Sequence, residues 1–363
     1  MIVVAHEHRG RTIKCGQCGR TMRVPEIDYA LWLRILSWAY LAAIVLLAII
    51  LWGLGDSWWP ATAVLFIGRW VILLPLFVLA PAALVRNRAM LAPLALAALV
   101  AVVPVVGFRL GWQRLLSHPA GAHVRVVTLN ADGGDLIAPR LARLLLEWEP
   151  DIITLQECGD ELKDATTKLP GWHQHDVRHL CFLSRFPIID TKVMDRSALE
   201  RVHVDEDLGI GGTGDVARYT LQTPSGPVSV TNLHLETARK GLESLRSESV
   251  DFYRMESNTA LRAIESKLAR KWVDGGAGPT IVAGDFNTPV ESRIFQSYWG
   301  DLTDAWSRAG FGFGMTKNNG WIRIRIDHVL SGPGWHVDSI ALGRDIGSDH
   351  LPLIVDLTLA PDK

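Results

Sequence analysis

The sequence predicts an α+β domain made of packed β-sheets with flanking helices, preceded by three transmembrane helices. Three apolar runs follow one another within the first third of the 363-residue chain. Short apolar strands then recur from residue 122 almost to the C-terminus, and helical periodicity connects only some of them. Recurring strands with few helical crossovers are typical of sheets that pack in layers.

The apolar runs predict a membrane segment over residues 31–110. Residues 35–54 and 89–108 carry no charge, and residues 60–85 carry only Arg69. Each run reaches the roughly 20 residues that cross a bilayer, and the very short connections argue against buried core helices. An ionisable residue inside a span is a functional candidate. Arg69 lies near the predicted outer end, however, and its side chain is expected to snorkel to the interface.

The distribution of Lys and Arg predicts the orientation of these spans. Six basic residues precede the first span, and Arg86 and Arg88 lie between the second and the third, whereas residues 55–60 contain none. This pattern predicts an integral protein of the cytoplasmic membrane, with the N-terminus in the cytoplasm and the C-terminal domain outside. Arg109 and Arg114, after the third span, favour the opposite orientation.

Residues 1–30 are expected to form a cytoplasmic segment with a pair of cysteines. Cys15 and Cys18 are spaced as in half of a zinc ribbon, and structural Zn²⁺ takes four ligands. His6 and His8 lie upstream and would complete a His2Cys2 site. A zinc site and a degenerate knuckle without metal both remain open.

Charge and the other two cysteines distinguish the C-terminal domain. Residues 1–121 contain 11 Lys/Arg and 4 Asp/Glu, a balance of +7, whereas residues 122–363 contain 26 and 34, a balance of −8. An acidic domain argues mildly against a nonspecific nucleic-acid coat, which is usually basic. Cys158 and Cys181 are expected to be buried free thiols, and a disulfide is the alternative if this domain lies outside the cytoplasm.

Polar side chains follow the apolar strands of the C-terminal domain, where each strand ends. Any one of them has a simple explanation, because Asp and Asn commonly begin loops. Together they predict a site, since carboxylates without cysteine suit a hard cation such as Mg²⁺ or Mn²⁺ and imidazoles suit proton transfer. These residues are Asn130, Asp132, Glu157, Asn232, His234, Asp285, Asn287, Asp327, Asp349 and His350.

Six short motifs carry a resemblance that covers about residues 122–360. In chain order they are TLN, LQE, NLHLE, GDFN, RIDHV and SDHLP. The set resembles the endonuclease/exonuclease/phosphatase superfamily, the DNase I-like fold, and the membrane-spanning front end resembles its membrane-anchored bacterial branch. The resemblance implies a four-layer αββα sandwich over residues 121–363 and divalent-metal-dependent hydrolysis of a phosphoester.

The resemblance also implies roles for the metal and for the base. Glu157 matches the principal metal ligand, Asn130 lies beside it, and Asp349 belongs to the metal-side network. His350 matches the general base that activates water. Asp327 matches the carboxylate that orients this base.

Further roles concern the nucleophile and the phosphate. Asp285 and Asn287 share one face of a strand, and they match the pair that positions the nucleophile and the phosphate. His234 matches the second histidine, which contacts the phosphate and serves the leaving group. An acid from the preceding strand commonly pairs with this histidine, and we expect Asp215 to hydrogen-bond to His234.

The stretch WIRIRIDHVL predicts a phosphate clamp. If the strand alternates regularly, Arg323 and Arg325 share the face of Asp327 and extend from the site, and guanidinium groups bind phosphate well. We expect Arg325, and with it Arg323, to contact the substrate, although Arg323 equally fits an exposed face. Lys317 and Asn318 in the preceding loop are the next candidates.

Three functions fit these motifs. The first is a membrane-anchored nuclease, and the second is a phosphodiesterase or phosphatase for a phospholipid or another small phosphoester. The third is an inactive receptor that keeps the fold, which the filled catalytic positions argue against. Abasic-site endonucleases usually carry Tyr where His234 stands, so the histidine points to the DNase, sphingomyelinase and phosphoinositide-phosphatase side.

Overall fold

The computed structural model describes most of the chain. The described residues are 12–14, 19, 21–23, 28–115, 119–131, 140, 147–200, 214–243, 252–320 and 322–361. The candidate zinc ligands His6, His8, Cys15 and Cys18 lie outside the described residues, as do Asp132 and most of the helix predicted over residues 136–148.

Helices account for the apolar first third and for part of the C-terminal domain. They are α1 Tyr29–Gly53, α2 Trp59–Phe66, α3 Leu76–Arg86, α4 Leu91–Val100, α5 Asp160–Thr167, α6 Ser197–Glu200, α7 Arg239–Glu243, α8 Phe252–Asp274, α9 Arg293–Tyr298 and α10 Ala305–Ala309.

Strands dominate the region after the apolar segment. In chain order they are β1 Thr12–Lys14, β2 Thr21–Arg23, β3 Arg109–Leu110, β4 Ala122–Asn130, β5 Ile152–Gln156, β6 His173–Val177, β7 Leu180–Ser184, β8 Ile188–Val193, β9 Asp215–Thr223, β10 Gly226–His234, β11 Thr280–Asp285, β12 Thr303–Asp304, β13 Phe311–Gly312, β14 Lys317–Asn319, β15 Ile322–Ile324, β16 Asp327–Ser331, β17 Trp335–Leu342 and β18 Leu353–Leu359.

The chain divides into two compact units. One comprises residues 1–47 and 71–102, and the other comprises residues 48–70 and 103–363. Residues 48–70, which comprise the end of the first apolar run, the connection after it and the start of the second, therefore group with the C-terminal domain.

Three helices are long and apolar enough to cross a membrane, over Tyr29–Gly53, Arg69–Arg86 and Arg88–Val105. The second candidate differs from the predicted run over residues 60–85. Helix α2 ends at Phe66, Ile67 is extended, and Gly68, a poor helix former, follows. The second candidate span therefore begins at Arg69.

Two six-stranded sheets form the C-terminal domain. One has the order β17-β18-β4-β5-β7-β6, and the other has the order β12-β16-β11-β10-β9-β8. The pairs β4–β5 and β10–β11 are parallel, and the other neighbours within these two sheets are antiparallel. The prediction of sheets packed as a sandwich is confirmed.

The core between the sheets is apolar and contains side chains from both. Phe182 on β7 stacks on Tyr219 on β9, with ring centroids 3.8 Å apart, and Val126 and Ala283 belong to the same buried cluster. A second cluster covers the outer face of the sheet that contains β11, where α8 and α9 pack. Strands covered on both faces bury nearly every side chain, and β11 does so from Ile281 onward.

Cys158 and Cys181 form a disulfide, with their Cα atoms 5.9 Å apart. Leu155 on β5 lies opposite Cys181 on β7, so the sheet register brings Cys158, just beyond the end of β5, close to its partner. The expectation of free thiols was wrong, because residues 23 positions apart in sequence become neighbours through this pairing.

Candidate active site

The polar residues predicted at the strand ends converge at one edge of the two sheets. Parallel strands present their C-terminal ends on the same side, which places Asn130 beside the residue that follows β5 and His234 beside Asp285. The Asn130 amide nitrogen donates to Glu157 Oε1 and to Asp285 Oδ2, at 3.0 Å each. The Asn130 amide therefore links Glu157, after β5 of one sheet, to Asp285, at the end of β11 of the other.

Asp285 lies at the centre of this group. Its Oδ2 atom is 3.7 Å from His234 Nε2 and 3.8 Å from His350 Nε2, and its Oδ1 atom accepts from the backbone N–H of Asn287 at 2.8 Å. Burial first, and repulsion from Asp327 second, raise the pKa of Asp285. An aspartate at this position is therefore suited to exchange a proton or to orient one.

His350 and Asp327 form a buried pair. His350 Nδ1 lies 2.8 Å from Asp327 Oδ2, and both residues are buried. Burial acts to lower the pKa of His350, but the carboxylates of Asp327 and Asp285 outweigh it and raise the pKa to about 9. Burial acts to raise the pKa of Asp327, and the adjacent imidazole outweighs it, so that this pKa is lowered. The pair matches a histidine whose tautomer and orientation are fixed by a carboxylate.

Two site residues adopt left-handed backbone conformations that are uncommon outside glycine. Glu157 has φ +50° and Asn287 has φ +49°. Each directly or closely follows a strand of the site, at the point where the chain turns. Asn287 is held there by its amide nitrogen, which donates to the Leu235 carbonyl at 2.8 Å. Such conformations persist where the surroundings fix them, and they cluster at functional sites.

Lys317 reaches the same site. Its Nζ atom lies 2.6 Å from Asp349 Oδ2 and 3.0 Å from His350 Nε2. Sequence analysis named Lys317 as a phosphate-binding candidate only after Arg325. Its position in the loop before the RIDHV motif was the sequence feature that indicated a place near the site. Asn318, the other second candidate, is exposed.

The predicted arginine clamp was wrong for Arg325. This side chain is 5% exposed and lies 3.5 Å from Asp304 Oδ2, while the cavity beside the site is lined by Ile322, Ile324 and Ile326. Strand pairing stops after Ile324 and resumes at Asp327. The regular alternation fails between these two points, so the isoleucines lie on the side of the site, and Arg323 is exposed.

The predicted contact between Asp215 and His234 is not formed. The two residues are cross-strand neighbours in register, but Asp215 Oδ1 accepts from Arg178 Nη1 at 2.8 Å. Among the described residues, the carboxylates within 4 Å of His234 Nε2 are those of Glu157, at 3.8 Å, and Asp285. The Asp215 carboxylate therefore pairs with Arg178 and not, as expected, with His234.

Asn232 has a structural role that the sequence did not distinguish from a catalytic one. Its side-chain oxygen accepts from Gln156 Nε2 at 2.7 Å, and its nitrogen donates to the carbonyls of Leu155 and Cys181. These bonds join the two sheets beneath the site, where a polar group needs partners because it is fully buried.

The donor set suits a hard divalent cation. Glu157 and Asp349 are partly exposed carboxylates beside the cavity, and Asp349 Oδ1 lacks a hydrogen-bond partner among the described residues. Asp285, Asp327 and His350 form a second group, whose ligand atoms lie within 4.8 Å of one another. In that group the closest contact is already the Asp327–His350 hydrogen bond, so the Glu157 side is the better candidate for the ion.

A cavity of about 650 Å³ opens beside the catalytic group. Its floor is polar and contains Glu157, His234, Asp285 and His350, and Arg239 and Lys240 also line it. Six apolar side chains also line it, together with further polar residues such as His179, Thr237 and Glu243, and the sequence singled out none of the six for the site. The six are Phe66, Leu235, Leu242, Ile322, Ile324 and Ile326.

Comparison with known proteins identifies relatives of this domain. A family model described as "Endonuclease/Exonuclease/phosphatase family" matches residues 127–350. Humanized D. rerio TDP2 with 14 mutations shares 15% identity at a TM-score of 0.50 and covers 65% of this chain and 99% of its own. D. rerio TDP2 complexed with a single-strand DNA product has the same identity and coverages at 0.49. A Bacteroides thetaiotaomicron endonuclease/exonuclease/phosphatase family protein shares 19% identity at 0.49 and covers 66% of this chain and 99% of its own. No curated protein matches significantly.

Proposed function

Because the chain belongs to the endonuclease/exonuclease/phosphatase family, whose members hydrolyse phosphoesters, we propose that it is a divalent-metal-dependent phosphodiesterase anchored in a membrane. The observation that carries the chemistry is the buried Asp327–His350 pair, 3.8 Å from Asp285 across the same site. Filled catalytic positions with matching hydrogen bonds argue against an inactive receptor.

His350 serves as the base in this proposal, and because its pKa of about 9 keeps the imidazole protonated at neutral pH, it does so in the neutral form that predominates at alkaline pH. Its Nδ1 atom is engaged by Asp327, so Nε2 is the atom that accepts the proton of the attacking water. Asp285 faces Nε2 and orients this water, while Asn130 fixes the Asp285 carboxylate. His234, on the other side of Asp285, contacts the phosphate and serves the leaving group.

Glu157 and Asp349, with Asn130 beside Glu157, would hold Mg²⁺ or Mn²⁺. A bound divalent cation stabilises the negative charge that develops on phosphate oxygens. Lys317, whose ammonium lies between Asp349 and His350, adds a positive charge on the same side.

An amphiphilic phosphoester, such as a phospholipid, is the substrate class that the cavity favours over nucleic acid. The apolar wall formed by Phe66, the three isoleucines and two leucines directly adjoins the catalytic floor. Apolar surface that borders a charged site suits a ligand with a phosphate and a hydrocarbon part. The acidic balance of residues 122–363 also disfavours a long polyanion.

We place the catalytic domain outside the cytoplasm. The disulfide between Cys158 and Cys181 supports this side, since disulfides persist in oxidising compartments. The basic residues before the first span and at Arg86 and Arg88 support the same orientation.

A substrate panel tests the proposal on the full-length protein in detergent with Mg²⁺ or Mn²⁺. We expect turnover of sphingomyelin or phosphoinositide vesicles to exceed that of plasmid DNA, single-stranded DNA and RNA. Ile322→Asp, at a half-buried residue of the cavity wall, should lower lipid turnover at least about tenfold and leave hydrolysis of a small soluble phosphodiester intact. Faster hydrolysis of nucleic acid, unaffected by Ile322→Asp, would instead support the nuclease function.

A further inference from the structure

The segment of residues 48–70 places a buried carboxylate against the loop that follows the catalytic strand. Asp56 is 2% exposed. Its Oδ2 atom accepts from Ser292 Oγ at 2.6 Å, and its Oδ1 atom accepts from the Ile294 backbone N–H at 3.3 Å. Ser292 is the N-cap of α9. The carboxylate therefore reinforces the start of this helix, where negative charge is favourable.

Arg262 on α8 completes the contact and reaches the active-site loop. Its Nη1 atom lies 3.6 Å from Asp56 Oδ2. Its Nη2 atom donates to the Asn287 carbonyl at 3.2 Å and to Thr288 Oγ1 at 2.9 Å. The guanidinium also lies over the Phe66 ring, 5.1 Å from its centroid. The buried Arg262 guanidinium thus contacts residues 48–70, at Asp56 and Phe66, and the loop after β11, at Asn287 and Thr288.

A second buried ion pair holds the other end of the same loop. Arg69 Nη1 lies 3.2 Å from Glu291 Oε2 and donates to the Val105 carbonyl at 2.7 Å. Arg69 is 6% exposed, so the expected snorkelling to an interface was wrong. The loop of residues 287–292 is therefore held at both ends by charges that have no access to water.

Buried charges of this kind impose a strong requirement on their partners. Removing one member leaves an uncompensated charge in the interior and is strongly destabilising, whereas removing both is often nearly neutral. Arg262 depends on Asp56 in this way, because Asp56 is its closest carboxylate partner in the described structure, whereas Glu236 and Glu265 act on it from farther away.

We propose that Asp56 and Arg262 are positioning residues, through which residues 48–70 hold Asn287 in its left-handed conformation beside Asp285. The inference rests on the proposed function only for its effect on rate. Arg262 bonds to the Asn287 carbonyl, and Asn287 in turn bonds through its backbone N–H to Asp285 and through its amide to Leu235. A small displacement of such a loop lowers the rate without weakening substrate binding.

The test compares Asp56→Asn, Arg262→Met and the double variant in the full-length chain. Each single variant is expected to lower both the melting temperature and kcat. The double variant should recover much of the melting temperature lost in Arg262→Met, because it no longer buries the Asp56 carboxylate without its nearest cation, although Glu236 and Glu265 still lack Arg262. Its kcat should stay about ten- to a hundredfold below wild type with KM within about twofold, because the bonds to Asn287 and Thr288 are still missing.

Arg270→Met is the matched control. Arg270 lies two turns further along α8 and pairs with Asp274 and Asp301 near the surface. We expect this variant to keep kcat and KM. A double variant with wild-type kcat would reduce Asp56 and Arg262 to a structural pair, and losses of stability that simply add would show that the two residues are not coupled; either result overturns the proposal.

Hydrogen–deuterium exchange separates this inference from the proposed function. Peptides that cover residues 286–292 should exchange faster in the double variant than in wild type, even where the melting temperature has recovered. If the wild type hydrolyses no phosphoester, the proposed function fails, and exchange alone decides the positioning. Unchanged exchange in these peptides would then overturn it.

Discussion

Asp285 shows why single residues of this site are sensitive to substitution. One of its oxygens faces two histidines and accepts from Asn130, and the other fixes Asn287. Every proposed catalytic group therefore contacts this carboxylate directly or through one residue, Glu157 through Asn130 and Asp349 through His350. Substitutions at the edges of this network, where a residue has a single proposed role, are expected to alter one function at a time.

Glu157→Gln is expected to remove divalent-metal binding and with it activity, because it replaces a charged ligand by a neutral amide that can still accept from Asn130. Calorimetric titration with Mg²⁺ and Mn²⁺ measures the loss, and the melting temperature without metal should change little. Asp327→Asn is the matched control, since it should lower kcat while metal binding is retained. Metal affinity lost in Asp327→Asn and kept in Glu157→Gln would move the ion to the Asp285–Asp327–His350 group.

Lys317→Met is expected to raise KM for an anionic phosphoester about tenfold and to weaken the salt dependence of kcat/KM. The reason is that its ammonium faces the catalytic group and lines the cavity. Lys163→Met on α5, where the lysine pairs with Asp160, serves as the control. Steady-state kinetics at two salt concentrations decide, and an unchanged KM would remove Lys317 from substrate binding.

Glu265 on α8 predicts a pH dependence of stability outside the catalytic group. Burial raises the pKa of Glu265 to about 7 from its usual 4.5, opposed by the Glu236 N–H, Arg196 and Arg262 and reinforced by the Glu236 carboxylate. Between these values the folded chain holds a proton that the unfolded chain has released, so this residue makes stability fall as pH rises through the window.

Glu265→Gln should remove this dependence, because the amide oxygen can still accept from the Glu236 N–H. Thermal melts at pH 4.5 and pH 8 are the measurement. The variant should gain melting temperature relative to wild type at pH 8 and show little gain at pH 4.5. An equal change at both values would show that Glu265 is ionised in the folded protein throughout this range.

At the scale of elements, the pairing of strands explains both the successes and the failures of sequence reasoning. Asn130, Glu157, His234 and Asp285 could be grouped in advance, because the ends of apolar strands are visible in sequence. Arg325 could not be placed, since regular alternation does not reveal the break between β15 and β16. The apolar cavity wall was equally hidden, because it combines residues from α2, α7, β15 and two loops.

The disulfide between Cys158, after β5, and Cys181 on β7 is expected to stabilise the fold. Cys158→Ala with Cys181→Ala opens a bridge across 23 positions, and chain entropy predicts a loss of about 3 kcal/mol of unfolding free energy. Denaturant melts of the double variant and of wild type under reducing conditions should agree. A double variant as stable as oxidised wild type would contradict a stabilising role for the bridge.

For the whole molecule, the side of the membrane on which the C-terminal domain lies can be measured directly. A C-terminal reporter that is active only outside the cytoplasm should be active, because the basic residues precede the first span and the disulfide belongs to an oxidising side. Activity of a reporter that works only in the cytoplasm would reverse the orientation.

The sandwich of two sheets could be predicted because the recurring short apolar strands and the order of the six motifs are both visible in the sequence. The grouping of residues 48–70 with the C-terminal domain could not be predicted, because in sequence these residues resemble the end of one span, a connection and the start of the next. Hydropathy measures transfer into lipid, and it is blind to a buried partner such as Arg262 for Asp56 or Glu291 for Arg69.

The contact between Asp56 and Ser292 joins residues 236 positions apart. During synthesis, Asp56 is therefore made long before Ser292 exists and, in the proposed membrane-anchored protein, reaches the membrane while the intervening chain is still being made. Closing so long a loop is slow in proteins dominated by non-local contacts. We expect maturation to end with this closure, so that pulse-labelled protein becomes protease-resistant around residues 48–70 and 287–292 at the same moment and later than its membrane insertion.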